Sequence, residues 1–142
     1  IKNILLLSLA SFNVSAYNEH NVKYTAEAIY FESRDQALVG QIAVGCVIKN
    51  RMDSPRWKST AKEVVHQHKQ FTYYSDGKPE TFDDPKAHYL AVQMARHVFD
   101  TDACDMYDGI DHYINPDLVD PKVNWYKSME LVMTIGDHAF YK

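Results

Sequence analysis

The sequence predicts a mainly α domain carrying a small β element, an α+β class, on three observations. Residues 84–98 combine helix-start signals with apolar residues at helical spacing, residues 41–52 are apolar nearly all round, and two short aromatic stretches, "IDHYIN" and "DHAFYK", alternate in the manner of brief strands. At 142 residues the chain has the length of one domain with a core of its own.

The elements follow in order. Thr25 is placed to cap a helix whose apolar positions are Ala26, Ile29 and Tyr30 and whose last turn holds Glu32. The run "QIAVGCVIKNRM" over 41–52 predicts a second helix, buried on every side until Lys49. Asp53-Ser54-Pro55 breaks it, and Ser59 or Thr60 can cap a short helix "AKEVVHQ". The clearest helix opens with Asp84 as cap and Pro85 at its first position, and Ala87, Leu90, Ala91, Met94, Ala95 and Val98 form its inner face. "IDHYIN" reads as a strand closed by Pro116, residues 121–134 as a last helix ended by Gly136, and "DHAFYK" as a terminal strand.

The N-terminus reads separately. Lys2 precedes an apolar run over residues 4–12, and Val14-Ser15-Ala16 offers small residues at the spacing a signal peptidase reads, so residues 1–16 are expected to be a secretory signal and 17–142 the functional domain. Nine helical residues reach about 14 Å, short of the roughly 30 Å hydrocarbon core, so no stable membrane span is expected in the mature chain. An amphipathic or buried first helix is the alternative.

Charge and composition narrow the function. A net charge of −4 without any Lys/Arg run argues against nucleic-acid binding, which needs a positive footprint. Ten Tyr and two Trp suit core packing and also platforms for sugar rings, each being a flat apolar face with a polar handle. With two cysteines there is no disulfide framework; Cys46 reads most simply as a small core residue, and a bridge to Cys104 is permitted in an oxidising compartment. No metal-binding or cofactor motif appears, and a metal-dependent hydrolase drawing on His66, His112 or His138 is a minor alternative. His66 and His68, two apart on a helix, face different sides.

One acid stands out. Glu32 lies within roughly 60° of Ala28 and Ile29 on a helical wheel, on or beside an apolar face. A carboxylate there has its charged form disfavoured, which makes it a possible general acid. A solvated ion pair with Arg34 is the competing reading.

The ordered segments "AIYFESR", "GQIAVGCVIKNRMDSPRW", "EVVHQHKQFTYYSDGKP", "HYINP" and "IGDHAFY" together resemble the SleB-type cell wall hydrolases, the spore-cortex-lytic and phage endolysin-like enzymes, over residues 24–142. The resemblance implies a lysozyme-like, mainly α fold. It also implies cleavage of peptidoglycan between N-acetylmuramic acid and N-acetylglucosamine; with the signal segment this is expected of an exported protein acting in the periplasm, the cell wall or outside the cell, and a monomer is the default. It makes Glu32 the catalytic acid, and lytic transglycosylation, closing a 1,6-anhydro ring, the favoured outcome over hydrolysis. A glycan-binding domain without activity is the third reading. By matching positions it nominates Gln41, Gln70, Phe71, Thr72, Tyr113, Asn115 and His138 as substrate-binding, while Trp57 and Trp125 read equally as packing or glycan platforms. The chain departs from the family at Asp35-Gln36, where members often carry Gly-Glu, and at Ile114, where a polar residue is common.

Overall fold

The computed structural model describes the backbone of residues 2–67, 71 and 80–142, and the side chains of these residues from 18 onward. Its helices are α1 (Lys2–Ser33), α2 (Leu38–Asp53), α3 (Ala61–Val65) and α4 (Pro85–Asp100), with 3-10 turns at Asp105–Tyr107 and Trp125–Ser128. Three short strands, β1 (His112–Ile114), β2 (Leu131–Ile135) and β3 (His138–Tyr141), form an antiparallel sheet in the order β1-β3-β2. The mainly α architecture with a small sheet is the one expected. Among the described residues, no helix is long and apolar enough to cross a membrane.

Helix ends follow the sequence signals closely. The Thr60 hydroxyl accepts from the Glu63 amide at 3.2 Å and donates to the Glu63 carboxylate at 2.8 Å, satisfying one of the four orphan amides at the start of α3. Asp84 accepts from the Ala87 amide at 3.0 Å, and Pro85 follows at the position where a missing N–H costs nothing. Thr25 departs from expectation. It lies inside α1, fully buried, because the helix continues toward Lys2 instead of starting at residue 26.

Two apolar clusters meet over α1. The larger joins Val22, Ala26, Ile29 and Tyr30 of α1 to Ala43, Val44 and Val47 of α2, Ala91, Ala95 and Val98 of α4, and Phe140 of β3. The smaller packs Ala28 and Ile48 against Ala61, Val64, Val65 and Phe71. As its all-round apolar sequence predicts, α2 is the central helix, and Gly45 lets its neighbours close in. A Cβ there would stand 2.9 Å from Val98 Cγ2 and 3.2 Å from Ile29 Cδ1.

Cys46 is not a free core thiol. It is bridged to Cys104, with Cα atoms 5.3 Å apart, because the end of α4 turns the chain back over α2. Helix α2 holds the following segment twice more. Asn50 Nδ2 donates to the Tyr107 and Ile110 carbonyls, both at 2.8 Å, and Arg51 Nε donates to the Asp111 carbonyl at 2.7 Å. Residues 46 and 50, one turn apart, share a side of the helix and Arg51 lies about 100° round from Asn50, so two adjacent faces of α2 deliver the start of β1.

The helix expected over 121–134 does not form. Trp125–Ser128 is a single 3-10 turn and Leu131–Ile135 is strand β2. Val132, Thr134 and Ile135 are β-branched and favour an extended chain, and pairing with β3 supplies the hydrogen bonds a helix would have made internally. Gly136 consequently belongs to the turn between β2 and β3, where its φ of 55° suits glycine. Gln36 clasps that turn: its Nε2 donates to Asp137 Oδ2 at 2.8 Å and its Oε1 accepts from the Asp137 amide at 3.0 Å.

The two faces of the sheet have different neighbours. Tyr113 of β1 pairs with Phe140, and with His138 they share the side packed on the helices. Ile114, Ala139 and Tyr141 lie on the other side beneath Val119, Tyr126 and Met129. β1 is an edge strand, and its outer rim lies along the Arg51 side of α2.

Candidate active site

Glu32 sits in the last turn of α1, half-buried where the two apolar clusters meet. Phe31 beside it and Tyr113 opposite it pack against both clusters. The helix end is closed by other groups. Ser33 Oγ donates to the Ile29 carbonyl at 2.9 Å, and Arg34 reaches back to the Tyr30 carbonyl with its guanidinium 4.6 Å from the Tyr30 ring centroid. Arg34 is thus turned to Tyr30.

The Tyr113 hydroxyl donates to Glu32 Oε2 at 3.3 Å, the contact that joins the helical layer to the sheet at this point. Tyr113 is itself held from behind. His138 meets its ring edge-on with centroids 5.1 Å apart, and Phe140 lies at 5.8 Å. His138 is 6% exposed and its Nδ1 has no partner. Burial pushes its imidazole below the ordinary value, against the opposing charges of Asp35 and Asp137. Buried Arg51 is brought down to about 10 by desolvation, opposed by the nearby Tyr113 hydroxyl and Asp111, and so remains a cation at neutral pH.

The other nominated residues have definite places. Gln41, 4% exposed, donates through Nε2 to the Gln36 carbonyl at 3.1 Å, bracing the turn between α1 and α2; its Oε1 is buried without a partner. Asn115 Oδ1 accepts from the Asp117 amide at 3.0 Å, so that oxygen is engaged in shaping the turn after β1. Phe71 is buried in the smaller core cluster, with the Arg51 guanidinium 5.6 Å from its ring centroid. Gln70 and Thr72 lie outside the described residues. Glu32, Tyr113 and His138 are therefore brought together, whereas Gln41 and Asn115 hold the turns flanking them.

Sequence reasoning missed a second cluster at the rim of β1. Asp111 is engaged by both oxygens, with Trp57 Nε1 donating to Oδ2 at 3.4 Å and His112 Nδ1 2.7 Å from Oδ1. Arg51 stacks on Trp57 with Cζ 4.1 Å from the ring centroid. The signal available was the adjacency of Arg51 and Trp57 to a helix-breaking Pro55, together with the Asp-His pair opening "DHYIN". Neither indicates that the two segments meet.

His66, His112 and His138, the residues a metal-dependent reading would use, lie apart. His66 Nε2 is 3.6 Å from Glu27 Oε1, His112 is held by Asp111, and His138 backs Tyr113. Among the described residues no group of three His, Cys, Asp or Glu side chains is arranged to hold a metal ion.

Tyr113→Phe tests the central contact while keeping the ring that fills the seam. If the hydroxyl orients Glu32 during reaction, its removal should lower kcat on peptidoglycan about tenfold, as expected for a hydrogen bond to a charged group, with an unchanged thermal midpoint. An unaltered kcat would make the contact incidental.

Comparison with known proteins adds three findings. The family model described as Cell Wall Hydrolase matches residues 35–141, a span that begins three residues after Glu32. The spore cortex-lytic enzyme of Halalkalibacterium halodurans is 32% identical over 129 residues, covering 90% of this chain and 37% of that protein. The Bacillus subtilis spore cortex-lytic enzyme is 27% identical over 127 residues, covering 87% and 38%. The chain thus spans less than half the length of these curated relatives. Among solved structures, the catalytic domain of the germination-specific lytic transglycosylase SleB from Bacillus anthracis superposes with a TM-score of 0.65 at 28% identity, covering 87% of this chain and 94% of that one. The catalytic domain of the Bacillus cereus SleB protein gives 0.64 at 29% identity, covering 87% and 91%.

Proposed function

We propose, from the premise that the chain belongs to the cell wall hydrolase family, that it cleaves the glycan strand of peptidoglycan as a lytic transglycosylase with Glu32 as its acid. The observation that carries the reading is the place of Glu32: half-buried at the junction of two apolar clusters, with the Tyr113 hydroxyl on one carboxyl oxygen. In this reading the protonated Glu32 donates to the oxygen bridging N-acetylmuramic acid and N-acetylglucosamine. The C–O bond on the muramic side breaks, and positive charge develops at the muramic anomeric carbon. The neighbouring N-acetyl oxygen stabilises that charge. Glu32, now a carboxylate, accepts the proton of the same sugar's C6 hydroxyl as its oxygen closes the 1,6-anhydro ring, and the enzyme returns to its starting protonation state.

Support for a single-acid route comes from the carboxylates engaged elsewhere; Asp35, exposed and near enough to His138 to act on its charge, is not among them. Asp111 is engaged by Trp57 and His112, Asp137 by Gln36, Asp84 caps α4, and Glu63 closes the α3 cap. Asp83 accepts from Thr81 Oγ1 at 3.3 Å, and Asp76 lies outside the described residues. Retaining and inverting glycosidases need a second carboxylate at about 5–9.5 Å from the acid, free to act on the sugar or on water. A hydrolytic muramidase is the second reading, and the likeness to the catalytic domain of the Bacillus anthracis lytic transglycosylase favours transglycosylation.

Export fits the bridged Cys46–Cys104 pair, because disulfides persist in oxidising compartments, and residues 1–16 are read as the leader that directs it. The deciding experiment is mass spectrometry of the muropeptides released from purified sacculi. Transglycosylation yields anhydro-muramic ends, lighter by one water than the reducing ends of hydrolysis. Reducing ends would establish the muramidase, and intact sacculi would overturn the assignment of activity.

A further inference from the structure

Trp125 presents an aromatic face that the proposed chemistry does not use. It is 37% exposed, on the 3-10 turn Trp125–Ser128, and it is held by three rings: His112 at 4.9 Å between centroids, Tyr126 at 5.9 Å and Tyr141 at 6.0 Å. His112 in turn meets Trp57 at 5.5 Å. Asp111 ties Trp57 and His112 together, and Trp57 has Arg51 on it at 4.1 Å and the exposed Arg56 at 5.5 Å. The result is a row of braced rings, Trp57, His112 and Trp125, beside the α2-flanked edge of β1. Burial pushes the His112 imidazole below its ordinary value, against the pull of Asp111.

We infer that Trp125, braced by His112 and through it by Trp57, forms a second, non-catalytic glycan subsite that takes a sugar ring of the same strand away from the bond being cut. The inference rests on the glycan-cleaving reading and extends it. Three features carry it. A hexopyranose presents an apolar face of C–H groups that suits a flat ring, while its rim of hydroxyl and amide groups needs polar neighbours, which Arg56 supplies beside Trp57. Trp125 is fixed by three neighbouring rings, so little side-chain freedom is lost when a sugar settles on it. The row is also continuous with the acid. His112 precedes Tyr113 on β1, and Arg51 lies beside both Trp57 and Tyr113. Trp125 contacts His112 and Tyr141, the pair next in register to Tyr113 and Phe140.

The test measures binding of the full chain to purified soluble glycan strands in a Glu32→Gln background, where turnover does not consume the ligand. Trp125→Ala should weaken binding about three- to tenfold, and Trp125→Tyr, which restores a flat ring, should recover most of it. An Ala variant that binds as tightly as its parent would overturn the subsite, as would a Tyr variant no better than Ala. Should the Ala variant melt early, fluorescence decides. Glycan strands should change the tryptophan emission of the parent, and Trp125→Tyr should fold and lose most of that change; emission unmoved by the strands would overturn the inference. Failure of the two readings is distinguishable. Strands bound through Trp125 but never cut would overturn cleavage alone, whereas normal cutting with Trp125-independent binding would overturn the subsite alone.

Discussion

Glu32→Gln should abolish peptidoglycan clearing, with a loss of at least about 10³-fold, while leaving the thermal midpoint where it was. The amide keeps the volume of the carboxyl and can accept from the Tyr113 hydroxyl, so the seam between the two apolar clusters stays filled. What it cannot do is release a proton to a glycosidic oxygen. General acid catalysis is worth about 10²–10⁴-fold where a second group shares the work, and the proposed route gives Glu32 both the donation and the later abstraction. Glu32→Asp separates chemistry from placement. It retains the acid but withdraws it by one methylene, and a misplacement of about 1 Å costs on the order of 10²-fold. The expected ranking is therefore wild type, then Asp, then Gln, read as the initial rate of turbidity loss of a sacculus suspension with circular dichroism melts alongside. A Gln variant that clears as fast as the parent would remove Glu32 from the mechanism.

The helices were legible because their signals are local. Asp84-Pro85 and Thr60 mark starts through hydrogen bonds made within one turn, and the all-round apolar α2 declares its own burial. Residues 121–134 form a 3-10 turn and a strand and not the expected helix for the complementary reason. Their apolar spacing is compatible with a helix, and what makes 131–135 a strand is β3, whose pairing no local pattern displays. Gly136 was likewise recognised as a break, but a helix end and a hairpin turn both call for positive φ. Glu32 could be singled out from its helical position, since an acid beside Ala28 and Ile29 is unusual on any fold. Its contact with Tyr113, 81 residues away, and the backing of Tyr113 by His138 depend on the sheet docking against α1. The resemblance nominated those residues without saying how they meet. Nothing within either segment could have shown it.

Reduction of the Cys46–Cys104 bridge should lower stability by about 4 kcal/mol. The two cysteines are separated by 58 positions, and opening a loop of that length returns to the unfolded chain the conformational freedom the crosslink removes. For a domain of this size the melting temperature should fall by roughly 10–20 °C, read by urea or thermal unfolding with and without a phosphine reductant and repeated on Cys104→Ser. Function should decline at temperatures below the global transition. The bridge is one of three fastenings by which α2 holds the chain leading into β1, the others being Asn50 on the Tyr107 and Ile110 carbonyls and Arg51 on the Asp111 carbonyl. Tyr113 is two residues beyond Asp111, so slack in that segment is passed directly to the hydroxyl that meets Glu32. A local opening of this kind costs less than unfolding the core and should appear first as a fall in kcat. Equal midpoints for the reduced and oxidised protein would show that Asn50 and Arg51 suffice and that the bridge adds nothing to the fold.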